Sequence, residues 1–77
     1  MDKCRVEIFV SGSKRWVLNG YLHREDGPAI VRVDGTKQWW LNGDRHRIDG
    51  PAIEHADGTK SWFLNGDFVS EAEVMGG

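Results

Sequence analysis

Lys37-Gln38-Trp39-Trp40-Leu41-Asn42-Gly43-Asp44-Arg45-His46-Arg47-Ile48-Asp49-Gly50-Pro51-Ala52-Ile53 is the stretch that decides the fold, because most of it has a copy 23 residues away. Its Leu-Asn-Gly recurs as Leu18-Asn19-Gly20 and Leu64-Asn65-Gly66, its Trp39 as Trp16 and Trp62, and its His46 as His23. The run Asp49 to Ile53 repeats Asp26 to Ile30, and Asp34 to Lys37 is repeated at Asp57 to Lys60. A fixed period in the range of about 20 to 50 residues marks stacked supersecondary units, each unable to bury its apolar face without a neighbour.

The punctuation inside each unit favours strands. Asn-Gly and Asp-Gly supply the positive backbone angles that tight hairpins demand, and Pro28 and Pro51 cannot donate to a ladder, so each begins a strand or ends a turn. Between turns the period is two: Lys37, Trp39 and Leu41 share one side of a strand, and Gln38, Trp40 and Asn42 the other. This predicts strands at 4–10, 14–18, 29–33, 37–41, 52–56 and 60–64, with short pieces near 21–24 and 44–47. The expected fold is all-β, an antiparallel meander of hairpin repeats in a single domain, 1–77. Residues 1–12 form an N-terminal cap strand, 13–66 the repeats and 67–77 a C-terminal cap. In that cap Val69 stands where His should return, and Ser70-Glu71-Ala72-Glu73 reads as a capping box that starts a short helix through Met75. Trp16, Trp39 and Trp62, at equivalent places in successive hairpins, are expected to touch one another as a core spine.

Composition narrows the function. A chain of 77 residues has about 4 to 11 kcal/mol of stability in total and no core to give up to a catalytic cleft. A single cysteine, Cys4, excludes an internal disulfide framework, and no apolar run approaches the length of a membrane span. The opening Met-Asp-Lys-Cys-Arg lacks the apolar core of a secretion signal, so a cytoplasmic location is expected. Net charge is −2, but residues 1–48 carry nine basic and six acidic side chains (+3), whereas residues 49–77 set Lys60 against six acids (−5). The acidic end suits a basic partner, or head-to-tail association of copies.

An aromatic, then Asn-Gly-x-x-His, on a 23-residue period with a later Asp-Gly, resembles the MORN repeat over Lys14 to Gly66. MORN units follow the His with Gly-x-Gly, whereas this chain has His23-Arg24-Glu25-Asp26-Gly27-Pro28-Ala29 and the copy His46-Arg47-Ile48-Asp49-Gly50-Pro51-Ala52. That variant is similar to the His-Arg-x-Asp-Gly-Pro-Ala repeat proteins of small phage and bacterial reading frames, and more distantly to YwqK-type antitoxin repeats. The resemblance implies a β-repeat architecture and an interaction function. The lipid binding of some MORN proteins does not carry over, since no basic stripe is present.

His23 with Asp26, and His46 with Asp49, have the residue types of an acid–base or metal pair. Their recurrence in every internal unit argues for structure instead: Asp stabilising the Asp-Gly-Pro turn, and His packing on or bonding to the neighbouring hairpin. No phosphate-cradling loop, nucleophile motif or ligand cluster occurs, so no catalytic residue, cofactor or metal is expected. A binding module carries its information where its copies differ. The candidate partner-binding residues are therefore Trp40, Asp44, Glu54, His55, Asp67, Phe68, Glu71 and Glu73, facing a protein with a basic surface. The expected role is a non-catalytic protein-binding module, in concrete form a small phage-encoded inhibitor of a bacterial defence or regulatory protein, anti-CRISPR-like. Two alternatives stand beside it: a nucleic-acid or nucleotide binder using Arg24, Arg32, Arg45, Arg47 and the aromatics, which the mild net charge disfavours, and a self-assembling structural module, for which a homodimer is the simplest form.

Overall fold

The computed structural model describes residues 5–75. Cys4 and the first residue of the expected strand 4–10 lie outside them. Ten strands and one helix follow in order: β1 (Arg5–Ile8), β2 (Lys14–Leu18), β3 (Tyr21–Leu22), β4 (Ile30–Val31), β5 (Lys37–Gln38), β6 (Trp40–Leu41), β7 (Asp44–Arg45), β8 (Ile53–Glu54), β9 (Lys60–Leu64), β10 (Asp67–Val69) and α1 (Glu71–Met75). Every strand pairing is antiparallel. The main sheet runs β1-β2-β4-β5-β8-β9-β10, with β3 beside β2 and β6-β7 as a separate hairpin. The chain is mostly antiparallel sheet with a short helix at its C-terminal end.

Two turn types alternate. At Asn19-Gly20, Asn42-Gly43 and Asn65-Gly66 both residues have positive φ, 51–52° for the asparagines and 83–88° for the glycines. That is the two-residue hairpin turn whose twist matches that of the flanking strands. The Asp-Gly turns are wider: Arg32 N–H donates to Thr36 O and Gly35 N–H to Arg32 O, and His55, Thr59 and Gly58 repeat the same pair of bonds. Gly35 and Gly58 take φ of 100° and 94°, the left-handed residue that closes a three-residue hairpin loop. Phe9 N–H to Ser13 O and Gly12 N–H to Phe9 O, with Gly12 at φ 99°, are the same bonds 23 residues earlier.

β2 and β9 fill their expected spans, 14–18 and 60–64, while the other expected strands are shorter than the sequence suggests. Ala29 and Ile30 both oppose Gln38, as Ala52 and Ile53 both oppose Ser61, since Ala29 N–H and Ala52 N–H donate to Gln38 O and Ser61 O. These bulges begin the ladder one residue late and confine β4 and β8 to two residues each. The expected strand 37–41 breaks at Trp39, whose N–H turns to Ala52 O at 2.7 Å while its carbonyl accepts from His46 N–H. β10 is an addition that the sequence reading missed; of Asp44-Arg45-His46, one repeat earlier, only the aspartate recurs in Asp67-Phe68-Val69. The capping box forms as expected: Ser70 N–H donates to Glu73 Oε2 and Glu73 N–H to Ser70 Oγ. α1 then packs against β9.

Burial is sparse. The molecule is 17 Å across in its thinnest direction, and among the described residues the buried apolar side chains are Ala29, Ala52 and Ile53, with His23 and Thr36 as buried polar ones. No large side chain is fully enclosed among them. The expected spine of touching indoles is not the core. Trp16, Trp39 and Trp62 are each half-buried, and the ring pair in contact among the described residues is Phe63 with Phe68. Guanidinium groups, described next, lie over the Trp16 and Trp39 rings instead.

Candidate functional site

One face carries a lock that is built twice. Arg24 lies over the Trp16 ring at 4.0 Å, and Arg47 over the Trp39 ring at 3.8 Å. Each arginine donates Nε–H to the aspartate two residues on, Asp26 at 2.9 Å and Asp49 at 3.0 Å, and Nη1–H to a proline carbonyl, Pro28 O at 3.2 Å and Pro51 O at 3.1 Å. The planar cation thus joins an indole to the Asp-Gly-Pro loop, which a lysine cannot do with the same fork. The hydrogen bond from Arg24, with its charge, holds the Asp26 carboxyl below the usual carboxylate range.

A second device crosses between units. The backbone N–H of Asn42 donates to His23 Nδ1 at 3.0 Å, and that of Asn65 to His46 Nδ1 at 2.9 Å. Each imidazole therefore reaches 19 residues along the chain to hold the next Asn-Gly turn. Nδ1 accepts, so the ring proton sits on Nε2. His23 Nε2 meets Glu25 Oε2 at 3.1 Å; at the equivalent place beside His46 stands the exposed Ile48. The histidines do what the repeat argument expects of them, bonding to the neighbouring hairpin. An open groove of about 740 Å³ runs between the two loops, past His23, Asp26, Trp39, His46, Ile48 and Asp49. Its charged groups are already engaged with one another.

The opposite face holds the row in which the units differ. Across each Asn-Gly hairpin the register sets Val17 against Leu22, Trp40 against Arg45 and Phe63 against Phe68. Arg45 sits between two rings, 5.1 Å from Trp40 and 5.2 Å from Phe63, and Phe63 meets Phe68 edge-on at 5.4 Å. Trp40 Nε1–H donates to Gln38 Oε1, and Phe68 is 74% exposed. The result is one continuous aromatic–cationic ridge.

The structure places Trp40 and Phe68 together on this ridge, with Arg45 and Phe63 between them. Sequence reading named Arg45 for the nucleic-acid alternative and not among the protein-binding residues; the signal for the latter was its departure from Leu22 and Phe68 at that repeat position. Asp44 lies beside the Asn65-Gly66 turn, and Asp67 is its counterpart one repeat later. Glu54 accepts from Arg47 Nη1 at 3.2 Å, so it buttresses the second lock. His55 Nε2 contacts Ser61 Oγ at 3.3 Å, Glu73 closes the capping box, and Glu71 is exposed in the first turn of α1. Among the described residues, no group of three or more His, Cys, Asp or Glu is disposed to hold a metal ion, and no helix is long and apolar enough to cross a membrane.

Comparison with protein-family models, curated proteins and solved structures returns no match.

Proposed function

We propose that the chain is a MORN-like β-hairpin repeat domain acting as a non-catalytic protein-binding module. Its concrete form is a small phage-encoded inhibitor of a bacterial defence or regulatory protein, anti-CRISPR-like. The observation that carries this reading is the ridge Trp40–Arg45–Phe63–Phe68, a row of rings and a guanidinium on a sheet face that no second layer of described residues covers. Phe68 is exposed and Trp40, Arg45 and Phe63 are half-buried, and aromatics with arginine in such a row have the composition of interface hot spots. The titratable groups that would do chemistry are otherwise employed: Arg24 and Arg47 by their loops and indoles, and His23 and His46 by the neighbouring turns. Their guanidinium nitrogens being so engaged, the same arginines have little left for phosphates, which favours a protein partner over a nucleic acid. Asp67 and Glu71 at the acidic end add attraction for a basic surface.

The test is affinity capture from the native host cytoplasm with wild-type chain and with Trp40→Ala and Phe68→Ser, their folding checked by circular dichroism. A stoichiometric partner held by the wild type and lost from both variants supports the reading. A partner held equally by all three shows that the ridge is not its binding surface.

A further inference from the structure

Strand β1 is a prepared edge, and its occupant can be read from its own charges. Phe9 N–H donates to Ser13 O, and the register sets Glu7 against Arg15 and Arg5 against Val17. In an antiparallel ladder the backbone groups of residues 5, 7 and 9 then point at β2, and those of Val6 and Ile8 point away. Twenty-three residues on, the same positions are filled: Ala29 O accepts from Trp16 N–H and Val31 pairs with Lys14. A further 23 on, Ala52 O accepts from Trp39 N–H and Glu54 pairs with Lys37. At Val6 and Ile8 no strand among the described residues takes that place. At the opposite end of the sheet, where β10 is the last strand, α1 packs on β9 and is held by the Ser70–Glu73 capping box. Among the described residues β1 has no such cover, and its Val6 and Ile8 are 43% and 68% exposed. Uncovered edges of this kind recruit another strand.

We propose that β1 pairs antiparallel with β1 of a second copy, making a closed two-fold dimer through a continuous sheet. Three registers bring the outward backbone groups together. With Val6 opposite Val6, each Arg5 faces the other copy's Glu7, giving two opposite-charge pairs. With Val6 opposite Ile8, Glu7 faces Glu7 and is repelled; with Ile8 opposite Ile8, no charges are matched. The first register is the one that forms. Because the contact is isologous it stops at two copies, whereas a head-to-tail contact of β1 on β10 would propagate.

The experiment is sedimentation of the full chain across about 10 µM to 1 mM, the range of a weak edge contact. The wild type is expected to pass from 8.7 kDa to twice that mass. Arg5→Glu and Glu7→Lys are each expected to stay monomeric, and an equimolar mixture of the two to recover the dimer, since each supplies the charge the other now lacks. Val6→Pro, which removes an outward N–H and no bond to β2, is expected to stay monomeric while keeping the wild-type tryptophan emission. A wild type that remains monomeric throughout, growth beyond two copies, or dimers unaffected by these changes overturns the proposal.

Discussion

Replacing His23 by Ala removes a buried ring that accepts a backbone hydrogen bond from the neighbouring hairpin. The imidazole is 5% exposed and its Nδ1 is the acceptor for Asn42 N–H at 3.0 Å. Orphaning that amide costs about 1–3 kcal/mol, and the lost packing of the ring adds on the order of 1 kcal/mol, so the total is about 2–4 kcal/mol. Against a whole stability of about 4–11 kcal/mol this is a large share. It corresponds to a fall in Tm of roughly 10–25 °C for a chain of this size. His23→Asn separates the two contributions, because its Oδ1 occupies the place of Nδ1 and can still accept from Asn42 N–H while the rest of the ring is gone. Urea unfolding followed by tryptophan fluorescence measures both variants, with circular dichroism as the check on the native state. The Ala variant is expected to lose about 1 kcal/mol more than the Asn variant. Equal losses, or a loss below about 0.5 kcal/mol for Ala, would refute the argument that the histidine holds the next hairpin through its ring nitrogen.

Arg47→Lys keeps the charge but loses the fork and the flat contact with Trp39, and is expected to cost about 1–2 kcal/mol in the same urea assay. Gly43→Ala forces a side chain onto a φ of 85° with Tyr21 Cδ1 only 3.0 Å from its Cβ; thermal unfolding should show a loss of about 1–2 kcal/mol. Glu7, Asp26, Asp34 and Asp57 all have carboxyls held below the ordinary range, by bonds from Arg15, Arg24, Thr36 N–H and Thr59 N–H respectively. A lowered folded value means their stabilisation is fully present above the unfolded value and is lost as pH falls through the lowered one. Stability should therefore be level with respect to these groups above about pH 5 and should decline below about pH 4, which urea midpoints taken from pH 7 to 2.5 will register. Ser70→Ala should remove the cap of α1 at about 0.5–1 kcal/mol and speed amide exchange at Glu73.

Much of the architecture was legible in the sequence, for a definite reason. Turns are local, so Asn19-Gly20, Asn42-Gly43 and Asn65-Gly66 announced their positive φ angles, and Ser70 with Glu73 announced the start of α1. What spacing could not convey is which side chain covers which. The tryptophans recur at 23 residues, and from that alone a column of touching rings is a fair expectation, yet Arg24 and Arg47 recur at the same interval and take the ring faces. The bulges at Ala29 and Ala52 shorten the strands through backbone bonds that leave no mark on period-two alternation. The earliest hairpin was expected from strands 4–10 and 14–18, but its turn was not read as a copy of the Asp-Gly turns, because Phe9-Val10-Ser11-Gly12-Ser13 keeps little of them beyond Gly12 and Val10. On the candidate surface, sequence difference pointed to Trp40 and Phe68, but Arg45 joined them only through pairing across the Asn42-Gly43 turn.

The claim beneath all of this is that the repeated His-Arg-x-Asp-Gly-Pro runs are clamps between neighbouring hairpins and leave recognition to the variable face. Scalar coupling across the hydrogen bond, measured in uniformly ¹⁵N-labelled protein, tests it most directly. A resolved coupling should link the Asn42 amide to His23 Nδ1 and the Asn65 amide to His46 Nδ1, with the ring proton found on Nε2 in both. Absence of both couplings, or rings carrying their proton on Nδ1, would contradict it.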